Sequence, residues 1–169
     1  LLQARYKMHL NAQWHSINGN GNAVLDRSYF GDTAFARLQI KNGSMSENEF
    51  ETYRNIYHSM TSTVLLPNFC VHLMVNPIVA IDRIKARMEK ETGRKCETTI
   101  DVGYLYNLYE ENVNMINVLR NQGVNIIEVP WDQERDNKDS RAEIVEKVAQ
   151  QILSAPSPSP FLDLHRRTI

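Results

Sequence analysis

Apolar positions along this chain follow two rhythms. One returns every third or fourth residue, the spacing of a helix face; the other is a short continuous run, as in a strand buried on both sides. Residues 1–15 read as a helix with no cap before it, so the chain starts inside an element. Ala23-Val24-Leu25 reads as a short strand ending in Asp26-Arg27-Ser28. Ser46 and Glu49 have the spacing of a capping box, and Phe50, Tyr53, Tyr57, Met60 and Val64 form the apolar stripe of the helix that follows. The run from Phe69 to Val75 suits a second, buried strand. Asn76 then caps a helix with Pro77 at its first position. Val79, Ala80 and Ile84 are expected to face a core from that helix, with Arg83 and Arg87 turned away. Val102, Leu105, Leu108, Tyr109, Val113, Ile116 and Leu119 mark a further amphipathic helix, ended by Gln122-Gly123. Val124 to Val129 reads as a third strand, stopped by Pro130-Trp131-Asp132. Residues 136–140 look like an exposed loop, and Ser140 with Glu143 like a second capping box for a helix carrying Ile144, Val145, Val148, Ile152 and Leu153. Strands separated by helices imply an α/β fold with a parallel sheet, in one domain over 1–154, followed by a Pro/Ser linker and tail over 155–169.

Composition narrows the picture mainly by exclusion. The 169 residues suit one domain with a real core, and a net charge of −1 lacks the footprint of a nucleic-acid binder. No apolar run approaches a membrane span, and the N-terminus does not read as a signal peptide. Cys70 and Cys96 have neither metal-type spacing nor a disulfide framework and read as free thiols of a reducing compartment. His9, Trp14 and His15 read as packing or surface residues, and His72 as a core or interface histidine.

Candidate chemistry lies where strands end, because ligands of parallel α/β sheets bind beyond the carboxyl ends of the strands. Asp26-Arg27-Ser28, Asn76 and Trp131-Asp132-Gln133-Glu134 fall at such ends. Asp26 offers the hard oxygen a hydrated divalent cation prefers, and Arg27 the charge to neutralise a transferring phosphoryl group; a local ion pair at a strand end is the competing reading. Arg83 and Arg87, four apart, share a helix face, and Arg94 follows the helix-breaking Gly93. Three guanidiniums at a helix–loop junction can clamp a phosphate chain, or they can pair with Asp82, Glu89 and Glu91 on a solvated surface.

Taken together in order and spacing, these residues resemble the deoxynucleoside kinase family, the group of deoxycytidine, deoxyguanosine and deoxyadenosine kinases and mitochondrial thymidine kinase. The resemblance is carried by Val24-Leu25-Asp26-Arg27-Ser28-Tyr29-Phe30-Gly31-Asp32, by Phe35, by Gly43-Ser44-Met45-Ser46, by Pro67 to Arg87 and by Glu97-Thr98-Thr99-Ile100 to Leu105. It implies a P-loop kinase-type parallel sheet flanked by helices, with a lid at about 83–97. It implies transfer of the ATP γ-phosphoryl group to a deoxynucleoside 5′-hydroxyl, with ATP and Mg²⁺ required. By position, Gln3 matches the glutamine that reads the base edge and Asp26 the carboxylate near magnesium, which it would hold through water. Arg27 matches the arginine beside the reacting oxygen, Asp32 a residue that helps set base preference, and Glu97 the lid glutamate at the sugar 3′-hydroxyl. Arg83, Arg87 and Arg94 match lid arginines that hold donor phosphates, and the Pro130 to Glu134 segment falls where the family covers the donor adenine. The family further implies a homodimer in the cytoplasm or, in a eukaryote, the mitochondrial matrix, with no nucleic-acid or membrane partner.

Three departures accompany the resemblance. Several residues separate Arg87 from Arg94, where the family often has a single one between its last two lid arginines. Some purine-accepting members carry an arginine seven residues after the base-reading glutamine, paired with the Asp32 equivalent; Leu10 stands there, so the partner of Asp32 falls to Arg5 or another basic group. The sequence contains no Gly-x-x-x-x-Gly-Lys-Ser/Thr loop, and in the family that loop, its strand and the general-base carboxylate lie upstream of the Gln3 position. The expectation is therefore that these residues belong to a longer polypeptide. A monophosphate kinase, drawing on Arg5 or Lys7 for the acceptor phosphate, and a non-catalytic subunit of the same fold are the alternatives.

Overall fold

The computed structural model describes residues 2–19, 21–90, 100–132 and 138–155. Their order is α1 (Leu2–Ile17), α2 (Asp32–Lys41), α3 (Glu47–Thr61), β1 (Phe69–Met74), α4 (Pro77–Lys90), α5 (Val102–Asn121), β2 (Asn125–Pro130) and α6 (Lys138–Ser154). The expected α/β class and parallel pairing are both present. The chain divides into two compact units, one of Leu1–Leu66 with Asn107–Asn117, the other of Pro67–Tyr106 with Val118–Ile169.

The first unit is built on aromatic packing. Tyr29, Phe30, Ala34, Leu38, Tyr57 and Val64 are buried. Tyr29 stacks flat on Tyr57 at 4.7 Å, and His9 meets the edge of Phe30 at 5.6 Å. The stripe on α3 thus does what its spacing implied, although Val64 joins the core from beyond the helix end. The α3 capping box forms as expected: the Glu49 N–H donates to Ser46 Oγ at 3.4 Å and the Ser46 N–H donates to Glu49 Oε2 at 2.8 Å. Polar ties fasten α1 to the segment after α3, where Tyr6 Oη meets Thr63 Oγ1 at 2.7 Å and the Leu65 N–H donates to Gln13 Oε1 at 2.8 Å. Lys41 at the end of α2 pairs with the buried Glu111 of α5.

In the second unit, β1 and β2 pair in parallel from Phe69 opposite Asn125 to Met74 opposite Pro130. Pro130 closes β2 opposite Met74, the last residue of β1. The connection into β2 closes α5 with a Schellman motif. Gly123, at φ +88°, donates to the Arg120 carbonyl at 3.0 Å, and Val124 donates to the Leu119 carbonyl at 3.1 Å. Leu119 and Val124 are both buried, which supplies the apolar contact that accompanies this motif.

Three local expectations are corrected. Ala23-Val24-Leu25 is irregular, and Val24 is 95% exposed. A strand exists only by bonding to a neighbour, and among the described residues none lies alongside this segment. Lys138 to Ser140 belong to α6, so Ser140 stands inside the first turn instead of capping it. On α4, Ile81 and Pro77 are the buried residues, while Val79, Ala80 and Ile84 are half-buried, as are Arg83 and Arg87, which are not turned fully away. The 155–169 linker and tail lie outside the described residues apart from Ala155.

The Schellman closure gives a clear test. A Cβ at Gly123 would meet nothing within 4 Å, so Gly123→Ala is penalised through backbone conformation alone. The expected loss is about 1–2 kcal/mol, read as a lower urea midpoint with an unchanged m-value.

Candidate functional site

The residues of interest form two groups, one in each unit. In the first, the turn at Asp26-Arg27-Ser28 leads into α2. Tyr29 and Phe30 lock this turn into the core: the Tyr29 hydroxyl donates to the Tyr57 carbonyl at 2.8 Å, and burial pushes its pKa up to about 12. Ser28 Oγ accepts the Gly31 N–H at 3.0 Å and closes the turn. Arg27 is thereby held at φ +62°, the left-handed region, as the one non-glycine among the described residues with positive φ. Such a conformation costs roughly 1–2 kcal/mol and persists where the surroundings impose it, commonly at functional positions.

The strained turn leaves Asp26 and Arg27 exposed. The Arg27 guanidinium carbon lies 5.9 Å from the centre of the Phe35 ring. Arg5 of α1 approaches the same ring at 5.8 Å and donates from Nη1 to Asp32 Oδ1 at 2.7 Å. Both partners of this pair are well buried, at 13% and 11% exposure. Arg5 therefore supplies the partner that Asp32 would otherwise lack with Leu10 at the expected position. Gln3, two residues before Arg5 on α1, is exposed.

Aromatic side chains complete this group, and the spacing of Tyr53 and Tyr57 marks them only as part of a helix stripe. Tyr53 is half-buried, and its hydroxyl has no hydrogen-bond partner among the described residues. Burial first, then the charge of Asp32, raises its pKa. Burial of Tyr57 has the same effect. An orphaned hydroxyl inside an aromatic cluster is the kind of signal that spacing alone does not carry.

In the second unit, Asn76 caps α4 as expected, its Oδ1 accepting the Ile78 N–H at 2.9 Å. Pro77 is buried. Arg83 donates from Nη1 to the Trp131 carbonyl at 2.8 Å. Arg87, one turn further along the same face, has a buried Nε with no partner among the described residues. Asp132 Oδ1 accepts the Asn76 N–H at 2.8 Å. The structure thus joins the end of β1, the arginine face of α4 and the segment after β2. Arg94, Cys96 and Glu97, together with Gln133 and Glu134, lie outside the described residues.

The sequence profile of the deoxynucleoside kinases matches residues 1–154. This chain belongs to the deoxynucleoside kinase family. It is 30% identical over 132 residues to a deoxyguanosine kinase of Dictyostelium discoideum, covering 78% of this chain and 45% of that protein. It is 25% identical over 133 residues to a deoxyadenosine kinase of the same organism, covering 79% and 50%. A deoxyguanosine kinase of Lactobacillus acidophilus is 33% identical over 103 residues, covering 56% and 45%. This family member spans about half the length of the curated relatives it matches.

Within the family member, Asp26 is a single exposed carboxylate, and no group of three or more His, Cys, Asp or Glu residues is placed to share a metal among the described residues. That donor set fits magnesium in a nucleotide site, where one or two carboxylates suffice because water and phosphate supply the other oxygens. Cys70 is a free thiol whose pKa burial raises, and it is the second residue of β1, at the opposite end of the strand from Asn76. His72 is half-buried in β1, where burial lowers its pKa. Among the described residues no helix is long and apolar enough to cross a membrane.

The Arg5–Asp32 pair carries a stability signature. Arg5→Ala leaves a largely buried carboxylate without its cation, which is expected to cost on the order of 3 kcal/mol. The double variant Arg5→Ala/Asp32→Ala should be more stable than Arg5→Ala alone. Urea unfolding of the four members of this mutant cycle measures the coupling.

Proposed function

We propose that this chain is the acceptor-binding and lid portion of an enzyme that transfers the γ-phosphoryl group of ATP to the 5′-hydroxyl of a deoxynucleoside. The observation that carries this reading is the turn at Asp26-Arg27, held in a strained conformation beside the Arg5–Asp32 pair in a chain of this family. An exposed ion pair at the end of a segment needs neither the left-handed backbone nor two buried tyrosines beneath it.

In this reading the catalytic domain occupies 1–154 with its lid at about 83–97, and the phosphate-binding loop and the general base precede Gln3 in the same polypeptide. Arg27 meets charge developing around the reacting oxygen, and Arg83, Arg87 and Arg94 hold donor phosphates. Asp26 would hold Mg²⁺ through its water shell, and the ion would supply neutralisation of the donor phosphates. Glu97 positions the sugar, Gln3 the base edge, and the Arg5–Asp32 pair disposes the base pocket toward purines. The relatives named as deoxyguanosine and deoxyadenosine kinases support that preference. The working form is a homodimer in the cytoplasm or mitochondrial matrix.

Acceptor choice follows from how the cations are engaged. A monophosphate acceptor needs a further free cation; Arg5 is already bound to Asp32, which leaves Lys7, exposed on α1, as the remaining source. Purine deoxynucleosides should therefore be phosphorylated faster than pyrimidine deoxynucleosides, and both faster than any deoxynucleoside monophosphate. A panel of acceptors with ATP and Mg²⁺ measures this in the full-length protein. Faster turnover of a monophosphate would replace this reading.

The arginines separate catalysis from folding. Arg27→Ala and Arg87→Ala should each lower kcat by roughly 10²–10³-fold, equivalent to about 2.7–4 kcal/mol of transition-state stabilisation. Their melting temperatures should stay near that of the parent, and Arg94→Ala should lose less turnover. Steady-state kinetics beside thermal melts check this; near-normal kcat in both Arg27→Ala and Arg87→Ala would reduce the clamp to a solvated helix face.

A further inference from the structure

Asp132 makes a contact that neither α4 nor β2 needs for its own hydrogen bonding. Its Oδ1 accepts the backbone N–H of Asn76 at 2.8 Å across 56 positions of sequence. Asn76 is the residue that caps α4, its side chain holding the Ile78 N–H at 2.9 Å and its carbonyl accepting from Ala80 at 2.9 Å. In a local capping box, the N-cap residue's own N–H is satisfied by a side chain three residues into the helix. Here a carboxylate from the segment after β2 takes that role and adds a negative charge at the helix N-terminus, where the helix dipole favours it.

Two further bonds make this a frame. The Trp131 N–H donates to the Met74 carbonyl at 2.8 Å, which extends the strand pairing to the residue next to Asp132. The Trp131 carbonyl accepts Arg83 Nη1 at 2.8 Å. Trp131 and Asp132 therefore grip α4 at its capping residue, Asn76, and again at Arg83, nearly two turns along, on the face that carries Arg83 and Arg87. A helix held at two points along one face cannot pivot about its N-terminus or roll without breaking one of the bonds.

We propose that Asp132 is a positioning residue for the donor nucleotide: through the Asn76 N–H, and with the Trp131 carbonyl on Arg83, it sets the angle at which α4 presents Arg83 and Arg87 to the donor phosphates. The proposal rests on the donor-phosphate role given to α4 above. It makes the segment after β2 a part of the phosphate clamp, in addition to any cover it gives the donor base. It also assigns the effect to donor binding and not to the acceptor.

The test uses the full-length protein, with ATP affinity in Mg²⁺ measured by calorimetry and KM measured for ATP and for the best deoxynucleoside. Asp132 is exposed, so truncating it opens no core cavity. Asp132→Ala should weaken ATP binding and raise its KM about tenfold, the scale of one lost charge-assisted hydrogen bond, while the acceptor KM stays unchanged. Amide hydrogen exchange at Asn76 should speed up in the same variant. Asp132→Asn keeps an acceptor oxygen of the same reach and should restore most of the ATP affinity. A purely structural role would lower activity with the folded fraction and leave both KM values alone, which overturns the proposal. Tighter ATP binding in Asp132→Ala also overturns it, because Asp132 would then act as a repulsive charge beside the phosphates. If the parent binds ATP and Asp132→Ala binds it equally well, only this proposal fails; if the parent binds no ATP, the donor-site reading fails with it.

Discussion

A largely buried carboxylate needs a hydrogen-bonded cation, and meeting that need at Asp32 organises the first unit. Arg5 reaches Asp32 from α1 at 2.7 Å and, in doing so, lays its guanidinium against the Phe35 ring. The register of α1 is fixed by that contact together with the ties from Tyr6 and Gln13 to Thr63 and Leu65. In the turn before α2, Arg27 holds the left-handed conformation and its guanidinium lies 5.9 Å from the centre of the same ring. Desolvation strengthens each of these polar contacts relative to water, which is why a cluster of rings surrounds them.

The aromatic cluster has a structural task and leaves a polar group unpaired among the described residues. Tyr29 stacked on Tyr57 removes a large apolar area from water, and its hydroxyl is satisfied by a backbone carbonyl. Tyr53 shows the other side of the same burial, with a hydroxyl that finds no partner among the described residues. Structural cores seldom leave such a group unpaired, because the lost solvation is not returned. Its place beside the Arg5–Asp32 pair is where the deoxynucleoside kinase reading puts the acceptor.

The second unit solves a different problem, the orientation of α4 beside the strands. The two described strands give little surface for this, and Val71 and Leu73 of β1 remain 40% and 48% exposed. Orientation is therefore carried by polar contacts at the carboxyl ends of the strands, where Asn76, Trp131 and Asp132 meet. These contacts and the arginines share one helix, so the geometry that stabilises α4 is also the geometry that aims its charges.

Local rules in the sequence determined both paired strands and the helices other than α2, because caps, breakers and apolar spacing act within a few residues; α2, which has no side-chain cap, was not read from its spacing. Ser46 with Glu49, Asn76 with Pro77, and Gln122-Gly123 each work through neighbours on the chain, and each performs in the structure as its spacing implied. Motif order was equally legible: the run around Asp26-Arg27-Ser28 and the arginine spacing on α4 pointed to the family that the comparison then showed. Readings that depended on distant partners fared differently. The segment Ala23-Val24-Leu25 has strand composition but no described neighbour to pair with, and Ser140 has a capping residue's chemistry at a position already inside a helix. The choice of Arg5 as the Asp32 partner, the exposure of Gln3, the orphaned Tyr53 hydroxyl and the reach of Asp132 to Asn76 appeared only when the chain was folded. Each depends on a distance between residues far apart in sequence, or on which way a helix is turned, and tertiary packing alone sets those quantities.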